Sequence, residues 1–312
     1  MIRYEWRTSA ARCEMTEISD LLHRAAQYDR EPEFSTVDFT DVENDLAGDG
    51  SGTILLVYLL ARTIDVIDEV PESIAAVIRL TPSSGSVAHA SIVVDPDLRS
   101  RGIVTLFVEM AGLDASTSDG WLGSGFHEIR CWAKGNHPAS GRLADRWMIP
   151  RAKSMWKIVR PRSSGSAAAL GTVRVITGVE DPFFESTPSW INRSSVRFGG
   201  RLLAEYASAP GREALAVFGG DNEVLAVAGV GGEAVWVGEV GRCVTLEQLV
   251  FADNLASAPR REALARIAAY VDLDAREVGL VAYVDSDDAA AVGAFRVNGF
   301  QHDRTDVQYT VH

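Results

Sequence analysis

The chain has 312 residues, of which 46% are hydrophobic and 23% are charged. This length suits two domains of about 150 residues, and the composition is sufficient for each to bury a core. The formal net charge of −13 argues against a nucleic-acid-binding protein, because phosphate backbones require a basic surface.

The cysteines Cys13, Cys131 and Cys243 are scattered and show neither C-x-x-C nor Cys/His spacing. This pattern argues against a disulfide framework and against a zinc site, so we expect no metal and a reducing, cytoplasmic environment. The N-terminal segment has no signal-peptide core. The longest apolar run, Ile54–Ala61, is shorter than the roughly 20 residues that a membrane helix needs, so no membrane partner is expected.

The first half alternates strand-like and helix-like periodicities. The predicted elements are a strand at 2–7, a helix from Thr16, strands at Thr53–Ala61, Ile74–Leu80 and Val87–Val94, a helix from Ile103 to Met110, a strand at Glu128–Ala133, a helix at Pro138–Trp147 and a strand near Ser154–Val159.

A small, polar segment at 161–171 predicts a linker between domains at 1–160 and 172–312. The order of elements then restarts. The predicted elements are strands at Thr172–Ile176, Ala214–Phe218, Glu223–Val230 and Thr245–Phe251, a helix over 259–271, a strand at Val278–Val284, a helix at Asp288–Asn298 and a strand at Val307–Val311. Both halves predict a mixed α/β sheet.

An internal repeat supports this division. The set Asn136, Ala139, Leu143, Trp147 and Met148 has the same spacing as a second set that begins 152 residues later. The second set is Asp288, Ala291, Phe295, Gly299 and Phe300. Two unrelated amphipathic helices could share such spacing. Because a strand precedes each set, we favour a duplication.

Two motifs in these halves resemble the GNAT family of N-acetyltransferases. The segment Ile92–Val104 resembles the signature V-x-P-x-x-R-x-x-G-x-G/A, and the segment Asp288–Phe300 resembles N-x-x-A-x-x-x-Y-x-x-x-G-F. Among tandem members of that family, the stretches at 131–135, 160–161 and 283–292 are similar to those of the mycothiol synthases.

The resemblance implies an α/β (α+β) fold with two tandem GNAT domains, each a mixed, mostly antiparallel sheet flanked by helices. It also implies acetyl-CoA as the acetyl donor and a small-molecule thiol precursor as the acceptor. That acceptor is cysteinyl-glucosaminyl-inositol, whose cysteinyl amine is acetylated to give mycothiol. We expect the protein to be a monomer.

A turn between a strand and a helix, at 99–105, has the properties that a pyrophosphate requires. Such a turn exposes backbone N–H groups at a helix N-terminus, Gly102 allows close approach, and Arg99 and Arg101 add positive charge. Val104 stands where the family has Gly or Ala. In the first half the resemblance assigns cofactor binding to Ile92, Val93, Val94, Ser100, Arg101, Gly102, Ile103, Val104 and Thr105. In the second half it assigns Val250, Phe251, Ala252, Asp288, Ala289, Ala290, Ala291, Val292 and Gly293.

Acetyl transfer to an amine requires a group that accepts the ammonium proton. Glu247, on the strand before the second cofactor loop, is the candidate base, although an acid at such a position often only faces solvent. His89 occupies a comparable place in the first half. The resemblance adds Tyr283 as a substrate contact, and Glu43 as another, with Thr40 an equal alternative to Glu43.

The second half departs from the family pattern. Its expected pyrophosphate loop, 253–263, has no glycine, and Glu262 stands where a glycine is expected. Phe295 replaces a tyrosine, the H-P-E-type segment is absent near Asn192–Arg201, and no lysine follows Lys157. Three hypotheses therefore remain. The chain is a divergent mycothiol synthase, an acetyl-CoA-binding protein with an inactive C-terminal half, or an acetyltransferase for another amine that uses its N-terminal half.

Overall fold

The computed structural model describes residues 1–34, 36–60, 72–163, 173–178, 180–186, 188–193, 200–273 and 278–312. Most of the predicted linker and part of the segment near 192–201 lie outside these ranges. The chain forms two compact units. The first unit contains Met1–Ser154 and Thr305–His312, and the second unit contains Met155–Arg304.

In its described residues, the first unit is a mixed sheet with four α-helices. Its strands are β1 (Ile2–Arg7), β2 (Thr53–Leu60), β3 (Glu72–Ser84), β4 (Val87–Val94) and β5 (Glu128–Ala133), and its helices are α1 (Arg12–Tyr28), α2 (Phe39–Ala47), α3 (Ile103–Ala111) and α4 (Pro138–Trp147). The strands pair in the order β1-β2-β3-β4-β5. The β4–β5 pair is parallel and the other pairs are antiparallel.

Helix α1 begins four residues earlier than the sequence predicted. Thr16 is not its cap, because the Thr16 hydroxyl donates to the Arg12 carbonyl from inside the helix. The Glu14 carboxylate instead accepts the Ala11 N–H at the start. The predicted apolar face is correct, since Ile18, Leu21, Leu22 and Ala25 are all buried.

The second unit repeats this arrangement. Its strands are the part of β6 (Arg151–Arg160) that follows Ser154, β7 (Val173–Ile176), β8 (Glu213–Phe218), β9 (Val224–Val230), β10 (Val235–Val237), β11 (Gly241–Phe251) and β12 (Gly279–Asp285). Its helices are α5 (Ser189–Arg193), α6 (Gly200–Ser208), α7 (Ser257–Asp272) and α8 (Ala289–Val297). The strands pair in the order β6-β12-β11-β9-β8-β7, with β10 against β11. The β11–β12 pair is parallel.

Two strands belong to units other than the halves in which the sequence predicted them. Residues 155–160 of β6 pair with β12 in the second unit, where Ile158 and Val159 are buried. Residues 307–311 of the last strand, β13 (Gln301–Val311), pair with β5 in the first unit. Val307 and Tyr309 are buried there against Ala144 of α4. Apolar burial thus accounts for both assignments.

The two faces of the second sheet pack against different helices. Leu246 of β11 packs with the buried side chains of α7, among them Leu264 and Ile267. On the other face, Leu203 and Tyr206 of α6 pack against side chains of β8 and β9. Within the described ranges, no helix is long and apolar enough to cross a membrane.

Candidate functional site

In the second unit, the parallel strands β11 and β12 separate partway along their length. They pair from Cys243 with Gly279 to Leu246 with Ala282, and the pairing ends there. β11 continues to Phe251 while it pairs only with β9. Beside residues 247–251 the described part of the chain shows no pairing between β11 and β12, and we call the space between the two strands there the cleft.

Glu247 lies at the mouth of this cleft, at a β-bulge. Against β9, Leu246 pairs with Val230 and Gln248 pairs with Gly229, so Glu247 is the extra residue. The bulge shifts the alternation of side chains. Leu246 and Leu249 pack in the α7 core, whereas Val250 packs on the α6 face. The Glu247 side chain is therefore on the α6 face, where the structure puts it beside Gly231.

The backbone after the bulge directs hydrogen-bond donors into the cleft. Ala252 donates its N–H to the Leu225 carbonyl, toward β9. Because N–H directions alternate along a strand, Val250 also faces β9, whereas Leu249 and Phe251 face the cleft. Of the three consecutive predicted cofactor residues Val250, Phe251 and Ala252, Phe251 is the one whose N–H points toward the cleft.

The Glu247 carboxylate has two polar neighbours on the α6 face. The Arg212 Nε lies 3.6 Å from Oε2, and the Glu247 side chain keeps 33% of its exposure. Burial, and after it the nearby Glu247 carboxylate, raises the pKa of Tyr206 well above its ordinary value. Tyr206 therefore stays protonated at neutral pH and can act as a hydrogen-bond donor.

Tyr283 lies on β12, one residue beyond the last paired position. Its neighbours Ala282 and Val284 pack in the α7 core, so Tyr283 points to the same face as Glu247 and is 44% exposed. In the antiparallel pair of β12 with β6, Tyr283 is the register partner of Lys157. Lys157 is buried, and its Nζ lies 3.2 Å from Asp303 Oδ2. The second unit thus contains a buried lysine, although no lysine follows position 157.

The second-unit turn offers few donors to a pyrophosphate. Helix α7 starts at Ser257 after Ala256, which makes no side-chain cap, and its third residue is Pro259, which has no N–H. The side chain of Arg260 is bonded to the Leu255 carbonyl. Glu262 does not lie beside the turn as the sequence suggested, because it belongs to the second turn of α7, where it pairs with Arg266.

Helix α8 carries the last group of predicted cofactor residues. Asp288 caps it, accepting the Ala291 N–H at 2.9 Å. Ala289 and Ala290 are exposed. The remaining residues are Val292, which packs partly against the α7 core, and Gly293, which has open space beside its Cα. Phe295 is buried against Phe300 and serves the core.

The first unit has the same separation of strands, but a serine stands at the position that Glu247 occupies in the second unit. β4 and β5 pair from Val87 to Ala90, and the next residue is Ser91. His89, the alternative base, lies inside the ladder opposite Arg130. Since Asp95 donates its N–H to Ala75 of β3, Ile92 and Val94 direct their N–H groups toward the cleft. Val93 faces β3.

The turn that follows β4 presents open donors. Ser100 and Gly102 both have left-handed backbones, with φ of 62° and 79°. Helix α3 begins at Ile103, and no side chain caps it. Within the described residues the structure records no hydrogen bond to the N–H groups of Ile103, Val104 and Thr105. Val104, which replaces a small residue of the family pattern, directs its side chain into the core.

The two arginines of this turn have different roles. Arg99 is not available to a phosphate, because its guanidinium makes two bonds to the buried Asp29 at 2.6 and 2.7 Å. Its Nε also bonds to the Val94 carbonyl. Arg101 is exposed and makes no ion pair within the described part of the chain. Arg101 alone therefore adds uncommitted charge.

The predicted substrate contacts of the first unit lie on α2. Glu43 and Thr40 are both exposed, and the Thr40 N–H is bonded to the capping Asp38. The buried acid of this helix is Asp45, which binds Arg79. The described residues contain no cluster of side chains able to hold a metal ion.

A parallel strand pair that parts beside a helix N-terminus, present twice in one chain, defines a tandem GNAT fold. Solved structures of this class resemble the chain over nearly its whole length. A GCN5-related N-acetyltransferase from Sphaerobacter thermophilus has a TM-score of 0.60 at 13% identity, covering 98% of this chain and 95% of its own. A tandem GNAT protein from the clavulanic acid biosynthesis pathway has a TM-score of 0.57 at 14% identity, covering 100% and 98%.

Among curated proteins, the relatives are mycothiol acetyltransferases. The protein from Kytococcus sedentarius is 28% identical over 249 residues, which is 72% of this chain and 76% of the relative. The one from Paenarthrobacter aurescens is 26% identical over 187 residues, 59% of this chain and 54% of the relative. No protein-family model matches the sequence. These findings confirm the predicted fold and the predicted resemblance to tandem GNAT acetyltransferases.

Proposed function

We propose that this chain is an acetyl-CoA-dependent N-acetyltransferase whose second unit carries out catalysis, with Glu247 as the general base. The observation that carries the proposal is the position of this carboxylate. It stands on the bulge where β11 leaves β12, beside a cleft into which backbone N–H groups point. A proton acceptor and oxyanion donors at one cleft are what acyl transfer to an amine requires.

Glu247, Phe251 and Tyr283 have separate roles in the proposed reaction. The acceptor arrives as an ammonium, and Glu247 takes one proton from it, directly or through water, which frees the lone pair for attack on the thioester carbon. The N–H of Phe251 donates to the acyl oxygen as negative charge develops on it. The C–N bond forms, the C–S bond breaks, and the nitrogen gives its second proton to the departing thiolate, so that the products are the amide and the free thiol. Tyr283, on the same sheet face, contacts the acceptor.

The residues of the first-unit turn fit a pyrophosphate. Three unbonded N–H groups follow Gly102, and Arg101 provides charge. We propose that residues 92–94 and 100–105 bind the nucleotide end of acetyl-CoA there. For the second unit we propose that residues 250–252 and 288–293 bind acetyl-CoA. This proposal rests on the resemblance and on the cleft beside Phe251.

The acceptor that we propose is cysteinyl-glucosaminyl-inositol, because the curated relatives are mycothiol acetyltransferases. Glu43 of the first unit is a further proposed substrate contact. The expectations of a monomer and of a cytoplasmic location are part of this proposal and come from the sequence.

The contrast between the two turns favours a second candidate function. The first unit has the glycine and three open donors, whereas Pro259 removes one donor from the second. In this alternative, the first unit binds acetyl-CoA and the second is catalytically inactive. A first unit that acetylates another amine with His89 as base has less support, because His89 lies between two paired strands.

The substitution Glu247→Gln tests the proposal, since it keeps the shape and removes the base. With acetyl-CoA and cysteinyl-glucosaminyl-inositol, we expect kcat to fall about 10²- to 10⁴-fold while KM for acetyl-CoA stays within about twofold. Mass spectrometry of the acetylated product measures the rate.

Glu239→Gln, at an exposed position of the same unit, is the matched control and should retain full activity. Unchanged turnover in the Glu247 variant would show that the base is another residue. Acetyl-CoA binding without product in the unsubstituted protein would favour the second candidate function.

A further inference from the structure

Tyr206 is a buried tyrosine that packs beside the proposed base. The hydroxyl end of its ring lies against Gly229 of β9, where a methyl group would stand 2.8 Å from Tyr206 Cζ. Gly229 is the register partner of Gln248, the residue directly after the bulge. The ring therefore occupies the space that the missing side chain leaves at the bulge.

The Glu247 carboxylate occupies the next position along the same face. A methyl group at Gly231 would stand 2.8 Å from Glu247 Oε1. Residues two apart on an extended chain share a face, so Gly229 and Gly231 hold the tyrosine ring and the carboxylate side by side. Two glycines in alternation thus create room for one pair of side chains.

The Tyr206 hydroxyl is buried and has no partner at ordinary hydrogen-bond geometry among the described residues. A buried hydroxyl without a hydrogen bond raises the free energy of the folded protein, so we expect it to have a hydrogen-bond partner in some state of the site. The charged groups that interact electrostatically with this hydroxyl are the carboxylates of Glu247 and Glu213 and the guanidinium of Arg212.

Arg212 contacts both members of the pair. Its guanidinium carbon lies 5.2 Å from the centre of the Tyr206 ring, and its Nε lies 3.6 Å from Glu247 Oε2. Its side chain is 47% exposed, and the 3.6 Å contact is an ion pair that is too long for a hydrogen bond, so a competing cation can replace it. The ammonium of an acceptor needs the same carboxylate, which would release Arg212.

We propose that Tyr206 is the positioning residue of Glu247, and that its hydroxyl donates a hydrogen bond to the carboxylate when an acceptor amine displaces Arg212. This inference rests on the proposed function of Glu247. The bond fixes one carboxylate oxygen and leaves the other to take the ammonium proton. The raised pKa of Tyr206 keeps the hydroxyl in its donor form throughout this step.

The test is Tyr206→Phe in the full chain, which retains the ring on Gly229 and removes only the hydroxyl. With acetyl-CoA and cysteinyl-glucosaminyl-inositol we expect kcat to fall about tenfold or more, the usual effect of losing a hydrogen bond to a charged group. KM for acetyl-CoA should not change. The acidic limb of the pH–rate profile should move to higher pH, because a carboxylate that loses a donor holds its proton more tightly.

Tyr309→Phe is the matched control, since Tyr309 in the first unit has an equally buried hydroxyl without a partner among the described residues. We expect it to retain activity and pH profile. Gly229→Ala is a second variant, because it displaces the ring and keeps the hydroxyl. It should lower kcat in the same way, whereas Gly220→Ala, which meets open space, should not.

The outcomes separate this inference from the function on which it rests. A full-rate Tyr206→Phe with an unchanged pH profile, alongside an inactive Glu247→Gln, overturns the role of Tyr206 and leaves the base assignment standing. A slower variant whose pH profile does not move also overturns it, because the hydroxyl then acts only on structure. Absence of product from the unsubstituted protein overturns both proposals.

Discussion

The substitution Asp272→Asn should destabilise the second unit more than most single changes. Asp272 is the last residue of α7, and its carboxylate is 2% exposed. It accepts two bonds from the Arg160 guanidinium, at 2.8 and 2.7 Å, and two more from the N–H and hydroxyl of Ser163. Arg160 also donates from Nε to the Asn298 carbonyl, so one ion pair joins β6, α7 and the end of α8.

The size of the effect follows from what the substitution leaves behind. Asparagine cannot accept the paired bonds of a guanidinium, and the Arg160 side chain is only 11% exposed. An uncompensated buried charge costs about 3–5 kcal/mol. Domains of this size have a total stability of about 5–15 kcal/mol, so the loss would be a large fraction of it.

Urea unfolding followed by circular dichroism measures this loss. The control is Glu262→Gln, which removes an (i, i+4) pair whose carboxylate is 59% exposed and should cost about 0.5 kcal/mol or less. A loss below about 1 kcal/mol for Asp272→Asn would refute the reasoning, because it would mean that water reaches Arg160 and replaces the carboxylate.

The same pair gives the unit a dependence on acid. Burial works to raise the pKa of Asp272, but the bonds from Arg160 and Ser163 outweigh it and hold the pKa below its ordinary value. A lowered folded-state pKa contributes stability that is fully present above the unfolded-state pKa, about 3.9, and is lost as the pH falls through the folded-state pKa. The acid-induced loss of stability below about pH 4 should therefore be smaller in Asp272→Asn.

Two further predictions concern the first unit and the thiols. Arg101→Ala should weaken acetyl-CoA binding about tenfold by calorimetry, whereas Arg146→Ala, an exposed arginine paired with Glu109, should not; equal affinities would exclude Arg101 from the phosphate site. A thiol reagent at pH 8 should label Cys13 quickly in the native protein and Cys131 much more slowly, because Cys131 is only partly exposed and burial raises the pKa of its thiol to about 11. Rapid labelling of Cys131 in the native protein would contradict this.

The sequence predicted the elements that carry the site better than it predicted their contacts. The strand before Glu247 and the helix after Asp288 follow from periodicity and capping, which are local properties. The bulge at Glu247 depends on the register between β11 and β9, and no residue within β11 indicates its position in the sequence. Arg99 was assigned to a phosphate because its partner, Asp29, lies 70 residues away, and such long-range pairing is invisible in a single sequence.

The units that contain β6 and β13 illustrate the same limit. Each strand has the apolar pattern of a core strand, and that pattern fits either sheet. The choice of unit depends on which side chains are available to bury it, such as Ala133 and Ala144 for Val307. Arg160 shows the same limit. In the sequence it stood out only by its resemblance to a family position, whereas its physical role, the ion pair with Asp272, is visible only in the structure.

The assignment of catalysis to the second unit depends on one strand position. In both units the parallel pair runs for four residues before it parts, and the next residue is Ser91 in the first and Glu247 in the second. A serine hydroxyl does not accept an ammonium proton at neutral pH, whereas a carboxylate does. A catalytic first unit would need His89, two residues earlier and flanked by Thr81 and Arg130 in the ladder. The intact turn of the first unit therefore favours binding there, and the carboxylate favours chemistry in the second.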